Sequence, residues 1–125
     1  MPRYVVLQHE SPQGVHWDFM LESGDALATW ALASPPDAAP TVDAAALPDH
    51  RTAYLDYEGP VSQDRGSVRR WDRGEFVLLD RRDDRVEAEL TGPRLTGRVV
   101  LARRPESAGQ WTFTFQRCEP RRTSP

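Results

Sequence analysis

His9 and His16, two of the chain's three histidines, bracket a short turn-rich stretch, and Asp18 follows the second by two positions. Two imidazoles and one carboxylate suit Mn²⁺, Zn²⁺ or Fe²⁺ and leave coordination positions open for water and a substrate. An open site of that kind is what metal-assisted hydrolysis requires. Other chemistries are excluded by what the chain lacks. All sixteen basic residues are arginine, so no lysine is available for a Schiff base or a nucleotidyl adduct. The single cysteine, Cys118, rules out an internal disulfide and a cysteine-based zinc cage. No Gly-rich phosphate loop and no supported Ser-His-Asp order is present.

Those three residues must be positioned by strands. "VHWDFMLE" (15–22) alternates: Val15, Trp17, Phe19 and Leu21 share one face, and His16, Asp18, Met20 and Glu22 share the other. Residues i and i+2 of a strand project about 7 Å apart on one side, so His16 and Asp18 can converge on one ion. "RYVVLQ" (3–8) reads as a buried strand, and "ESPQG" supplies the turn of a hairpin that brings His9 back across the pair. The same alternation also describes a solvated polar face beside a buried Trp17/Phe19/Leu21 stripe, and spacing alone favours that plainer account.

Further strands are expected at 26–33, 52–58, 66–71, 75–80, 85–90, 98–103 and 110–115, separated by Gly, Pro or Asp-Arg punctuation. Residues 34–50, "SPPDAAPTVDAAALPDH", read as a long Pro- and Ala-rich loop with one helical turn at 43–47. Regular short strands with turn signals indicate an all-β fold, a small antiparallel barrel or sandwich. One domain over 1–118 is expected, with 119–125 as a flexible tail. The length fits a single core, and 38% hydrophobic with 28% charged residues is ordinary for a globular chain. A charged N-terminus without a signal-peptide pattern and no apolar run of membrane length make a cytoplasmic location, away from membranes, the expectation. The net charge of −3 argues against polyanion binding over the whole surface but not against a local basic patch. Arg65, Arg69, Arg70 and Arg73, with Trp71 among them, offer such a strip for nucleic-acid ends. A solvated strand with Trp71 in the core is the plainer alternative.

The stretch "YVVLQHESPQGVHWDFMLE" resembles the opening of the 3′-phosphoesterase module of bacterial DNA ligase D and its free-standing relatives, where a histidine and a short turn precede His-x-Asp-x-Arg and Leu-Glu. "TWALAS" is similar to the family's Ser-Trp-Ala-x-Pro-Lys, "DHRTAYLDYEG" to Asp-His-Pro-x-x-Tyr-x-x-Phe-Glu-Gly, and "GSVRRWDRGEF" to Gly-Thr-Val-x-x-Trp-Asp-x-Gly. "ELTGPRLTGRVVLARR" followed by "WTF" matches the closing strands, so the likeness covers about residues 4 to 115. It implies a small antiparallel β-barrel with a metal site in its cavity. His9, His16 and Asp18 fall on the metal ligands, with Mn²⁺ or Zn²⁺ as the implied ion. His50 falls on a histidine that contacts the scissile phosphate, and Tyr54 on a tyrosine of the same pocket. Read without the family, His50 is a polar residue at a loop–strand junction and Tyr54 a packing residue.

The departures are as informative. Met20 stands where the family has an arginine, and Ser34 where it has a lysine. The arginine expected upstream of the third histidine is missing from "TVDAAALP", and the spacing of the first two histidines is one residue longer. The ligands are thus kept while the phosphate clamp is largely lost. Removing one such donor typically lowers a rate by roughly 10²–10³. Arg51, Arg69 and Arg70 are the candidate substitutes, although alternation lets only one of the latter two reach a cavity. The resemblance implies a divalent-metal phosphoesterase acting on 3′-phosphate or 3′-ribonucleotide ends of nucleic acid in DNA repair. The alternative is a non-catalytic or weakly active metal-containing module that binds nucleic-acid ends or a repair partner, such as a ligase or polymerase.

Overall fold

Alternation of apolar and polar residues, the dominant pattern of the sequence, builds nine strands in one antiparallel sheet. The computed structural model describes residues 1–118; the tail expected at 119–125 lies outside the described residues. The strands are β1 (Arg3–Ser11), β2 (Gly14–Ser23), β3 (Ala26–Leu32), β4 (Thr41–Arg51), β5 (Gly59–Pro60), β6 (Ser67–Arg82), β7 (Arg85–Thr91), β8 (Thr96–Arg103) and β9 (Gln110–Arg117). Their order is β1-β2-β3-β4-β9-β8-β7-β6-β5, and β1 also pairs with β6. That second pairing closes eight strands into a barrel-like ring, with β5 as a short spur on β6. Among the described residues no helix is long and apolar enough to cross a membrane.

The two faces of the sheet carry two apolar clusters. The ring interior is filled from all eight strands, by Tyr4, Phe19, Trp30, Val42, Phe76, Leu90, Leu101 and Phe113 among others. A smaller cluster of Val5, Leu7, Met20, Leu27, Leu55 and Val68 lies on the outward face of β6, β1, β2 and β3. It is covered by a single 3₁₀ turn, Thr52–Leu55, whose Leu55 is buried. Polar closure of the ring depends on Asp72. This buried carboxylate accepts the Tyr4 hydroxyl at 2.7 Å and the backbone N–H groups of Leu95 and Arg94 at 2.9 and 3.2 Å. A Cβ on Gly92 would lie 2.0 Å from the Tyr4 hydroxyl, so only glycine admits that network.

Three sequence expectations are corrected here. Most of the loop expected over 34–50 is strand β4, because Val42 and Ala44 alternate inward between Leu32 on β3 and Trp111 on β9. The alanines leave space for Trp30 and Trp111, whose rings meet edge to face at 5.7 Å. Pro48 is tolerated because the β3–β4 register shifts between Leu27 and Thr29, where no ladder donor is required. Residues 52–55, expected to be extended, form the 3₁₀ turn. The strands expected at 66–71 and 75–80 are one strand, β6, which runs through "DRG" because Asp72 and Gly74 pair with β1.

Candidate metal and phosphoester site

The β1–β2 hairpin places His9 directly opposite His16, and Leu7 opposite Asp18, on one face. Gly14, at φ +126, lets the chain turn tightly enough for that register. One ligand atom from each of His9, His16 and Asp18 lies within 4.8 Å of the others. The arrangement is on the outward face, above the Val5/Leu7/Met20 cluster, and not inside the barrel as expected: odd positions of β1 and even positions of β2 point away from the filled interior.

The three side chains converge around the Asp18 carboxylate. Asp18 is 3% exposed; its Oδ1 lies 3.0 Å from His16 Nε2 and its Oδ2 3.4 Å from His9 Nδ1. Oδ1 nevertheless finds no hydrogen-bonded donor, and a buried carboxylate oxygen without a partner is costly. His9 Nε2 lies 2.6 Å from the Arg65 carbonyl oxygen. A carbonyl can only accept, so Nε2 carries the proton and Nδ1 presents a lone pair toward the Asp18 carboxylate. A backbone carbonyl holding the remote nitrogen is the usual outer partner of a metal-ligating histidine. Contact with Asp18 raises the His16 pKa above 6.5, with burial opposing the rise.

The triad opens onto a pocket of about 490 Å³ that His50, Arg51 and Tyr54 also line. His50 is brought there by the end of β4, opposite Leu27 on β3. Its Nδ1–H donates to the Pro48 carbonyl at 2.9 Å, which leaves Nε2 free to take or give a proton. Tyr54 meets His50 edge to face at 5.7 Å. The floor is hydrocarbon: Leu7, Met20, Leu47, Val61 and Val68. Met20 is 1% exposed and belongs to the outward apolar cluster.

Of the three arginines offered as substitutes for the phosphate clamp, Arg51, Arg69 and Arg70, only Arg51 lines this pocket. Arg69 is exposed beside Glu10, and Arg70, on the site face, is drawn to Glu58 at 3.8 Å. Trp71 packs against the barrel core, with the Arg94 guanidinium 4.5 Å above its ring. Arg65 was noticed only as part of a basic strip, yet it lines the pocket and fixes His9. The signal for it is the turn "SQDRG". Gln63 and Asp64 adopt positive φ, Gly66 has φ +88, and a Cβ on Gly66 would lie 1.8 Å from the Glu10 carbonyl oxygen. Only this tight approach lets the Arg65 carbonyl reach His9.

Residues 7–103 match the DNA Ligase D 3′-phosphoesterase domain. The chain is 35% identical over 111 residues to the multifunctional non-homologous end joining protein LigD of Pseudomonas aeruginosa. That alignment covers 81% of the chain and 13% of the longer protein.

Proposed function

Because this chain belongs to the DNA ligase D 3′-phosphoesterase domain family, we propose that it is a divalent-metal phosphoesterase acting on 3′-phosphate or 3′-ribonucleotide ends of nucleic acid. The observation that carries the reading is the convergence of His9, His16 and the buried Asp18 carboxylate at the mouth of a pocket that also holds His50. His9, His16 and Asp18 hold the ion, Mn²⁺ or Zn²⁺ by donor type. A divalent cation so held supplies Lewis-acid polarisation of a phosphoryl oxygen and lowers the proton affinity of water.

The remaining chemistry belongs to the chain's own side chains. His50, anchored through Nδ1 to Pro48, presents Nε2 to the pocket and protonates the leaving oxygen or the phosphate. Tyr54 packs edge-on against that ring and limits its rotation. Arg51 places a positive charge at the rim, and the main chain of Arg65 keeps His9 in the correct tautomer. DNA repair, with a ligase or polymerase as partner, is the setting proposed for the reaction.

A second reading is favoured by Met20. An apolar floor beside the ligands gives no donor to the nonbridging oxygens, which suits a module that binds ends and turns over slowly. Turnover of a 3′-phosphorylated primer with Mn²⁺ separates the two. The phosphoesterase reading expects phosphate release that falls at least a hundredfold in His50→Ala. Tight end binding with no release would decide for the binding module.

A further inference from the structure

We infer that a second cavity, adjoining the triad pocket, is a nucleobase subsite that stacks the terminal base of a single-stranded 3′ end on Tyr57. The inference rests on the phosphoesterase-family reading for the identity of the ligand, but its evidence is separate. The cavity measures about 300 Å³ and is bounded by Arg51, Tyr54, Tyr57, Pro60 and Val61. Arg51, Tyr54 and Val61 also line the triad pocket, so the two hollows share a wall. A phosphate bound at the triad and a base bound beside Tyr57 are therefore neighbours across that wall.

The chemistry of the second cavity is that of a base platform. His50, Tyr54 and Tyr57 form a continuous edge-to-face series with centroids 5.7 Å apart at each step. Tyr57 ends the series and is 37% exposed, so part of its surface is open to solvent. Its position is nonetheless fixed, because its hydroxyl donates to the Pro60 carbonyl. Gly59 keeps the ring close to the main chain: a Cβ there would lie 3.2 Å from the Tyr57 hydroxyl. An aromatic that is exposed yet held rigid loses little entropy when a base stacks on it, and stacking tolerates any base. Arg51 stands at the shared wall and makes no hydrogen bond or ion pair to a side chain among the described residues. A free guanidinium between a phosphate site and an aromatic platform suits the charged backbone that joins phosphate to base.

The test compares two trinucleotides with a non-hydrolysable 3′-phosphonate, one with an intact terminal base and one abasic at that residue. Their affinities for the full chain are measured by calorimetry with Mn²⁺. The inference expects the base-bearing ligand to bind roughly 5- to 100-fold tighter, a ratio set by stacking one base. Tyr57→Leu should bring that ratio to about one, and Tyr57→Phe, which keeps the ring but frees it from Pro60, should lower it only in part, while the affinity for inorganic phosphate stays the same in both. Equal binding of the two trinucleotides by the unaltered protein, or no binding of either, would overturn the subsite. A ratio unchanged in Tyr57→Leu would also overturn it. Failure to hydrolyse a 3′-phosphorylated primer bears on the phosphoesterase reading alone, since base discrimination is scored without turnover. Deoxy and ribo versions of the probe separate a DNA end from an RNA end.

Discussion

At the residue scale, one buried carboxylate organises the candidate site. Asp18 faces an imidazole with each oxygen, and the His16 pKa is raised by that contact. The pH consequence has a definite sign. In the cation-free protein, a protonated His16 beside Asp18 stabilises the fold below pH 6.5, and this contribution fades as the pH climbs through the raised value. A cation held at the triad, as proposed, would have the opposite dependence, because it would have to displace that proton. Mn²⁺ affinity measured by calorimetry should thus increase with pH through a midpoint above 6.5, while the His16 share of stability declines. Substitution His16→Ala should remove bound metal from the purified protein; undiminished stoichiometry by metal analysis would dismiss the triad. Alternation on a hairpin makes the convergence of His9, His16 and Asp18 legible, but it equally describes a solvated polar face, and only the family resemblance marks the three as ligands. The partner that orients His9 was not legible, since a backbone carbonyl leaves no mark on residue type.

At the scale of elements, the strands with strong alternation were readable, and the alanine- and proline-rich β4 was not. β4 is rich in alanine and contains Pro48, so its composition argues for a loop; the inward pair Val42 and Ala44 becomes meaningful only beside Trp30 and Trp111. β6 was divided at "DRG", since a Gly-containing charged triplet normally marks a turn; here Asp72 is the buried hub of ring closure. The expectation of a metal site in the cavity comes from the family resemblance and not from the strand pattern. Alternation assigns residues to two faces but does not say which face becomes the interior. The turn at 62–66 supplies a test at this scale. Gly66→Ala introduces strain at positive φ and a collision with the Glu10 carbonyl, and should cost about 2 kcal/mol or more in urea unfolding. It should also weaken Mn²⁺ binding roughly 10- to 100-fold by releasing His9 from the Arg65 carbonyl. Unchanged metal affinity in a folded variant would show that the carbonyl does not orient the ring.

On the scale of the whole molecule, closure of the ring and construction of the site depend on the same strand. β1 pairs with β2 on one side and β6 on the other, and carries both Tyr4 and His9. Asp72→Ala leaves two backbone N–H groups without an acceptor and the Tyr4 hydroxyl with only the Leu95 carbonyl at 3.3 Å, and should destabilise by about 3 kcal/mol. Denaturant melts that coincide with those of the unaltered protein would refute the role of this hub. Burial, followed by contact with Asp72, pushes the Tyr4 phenol far above its ordinary 10.0. Tyr4 therefore contributes stability that is intact below pH 10 and is lost progressively at more alkaline pH.

The hairpin origin of the triad also has a kinetic meaning. His9, His16 and Asp18 are neighbours along the chain, whereas His50, Tyr54 and the Arg65 carbonyl arrive from distant segments. Local contacts form sooner than remote ones because shorter loops close at smaller entropic loss. In stopped-flow refolding with Mn²⁺ present, capture of the ion should precede the final burial of tryptophan. If both signals rise together, assembly of the grip would instead have to wait for the strands that complete the circle.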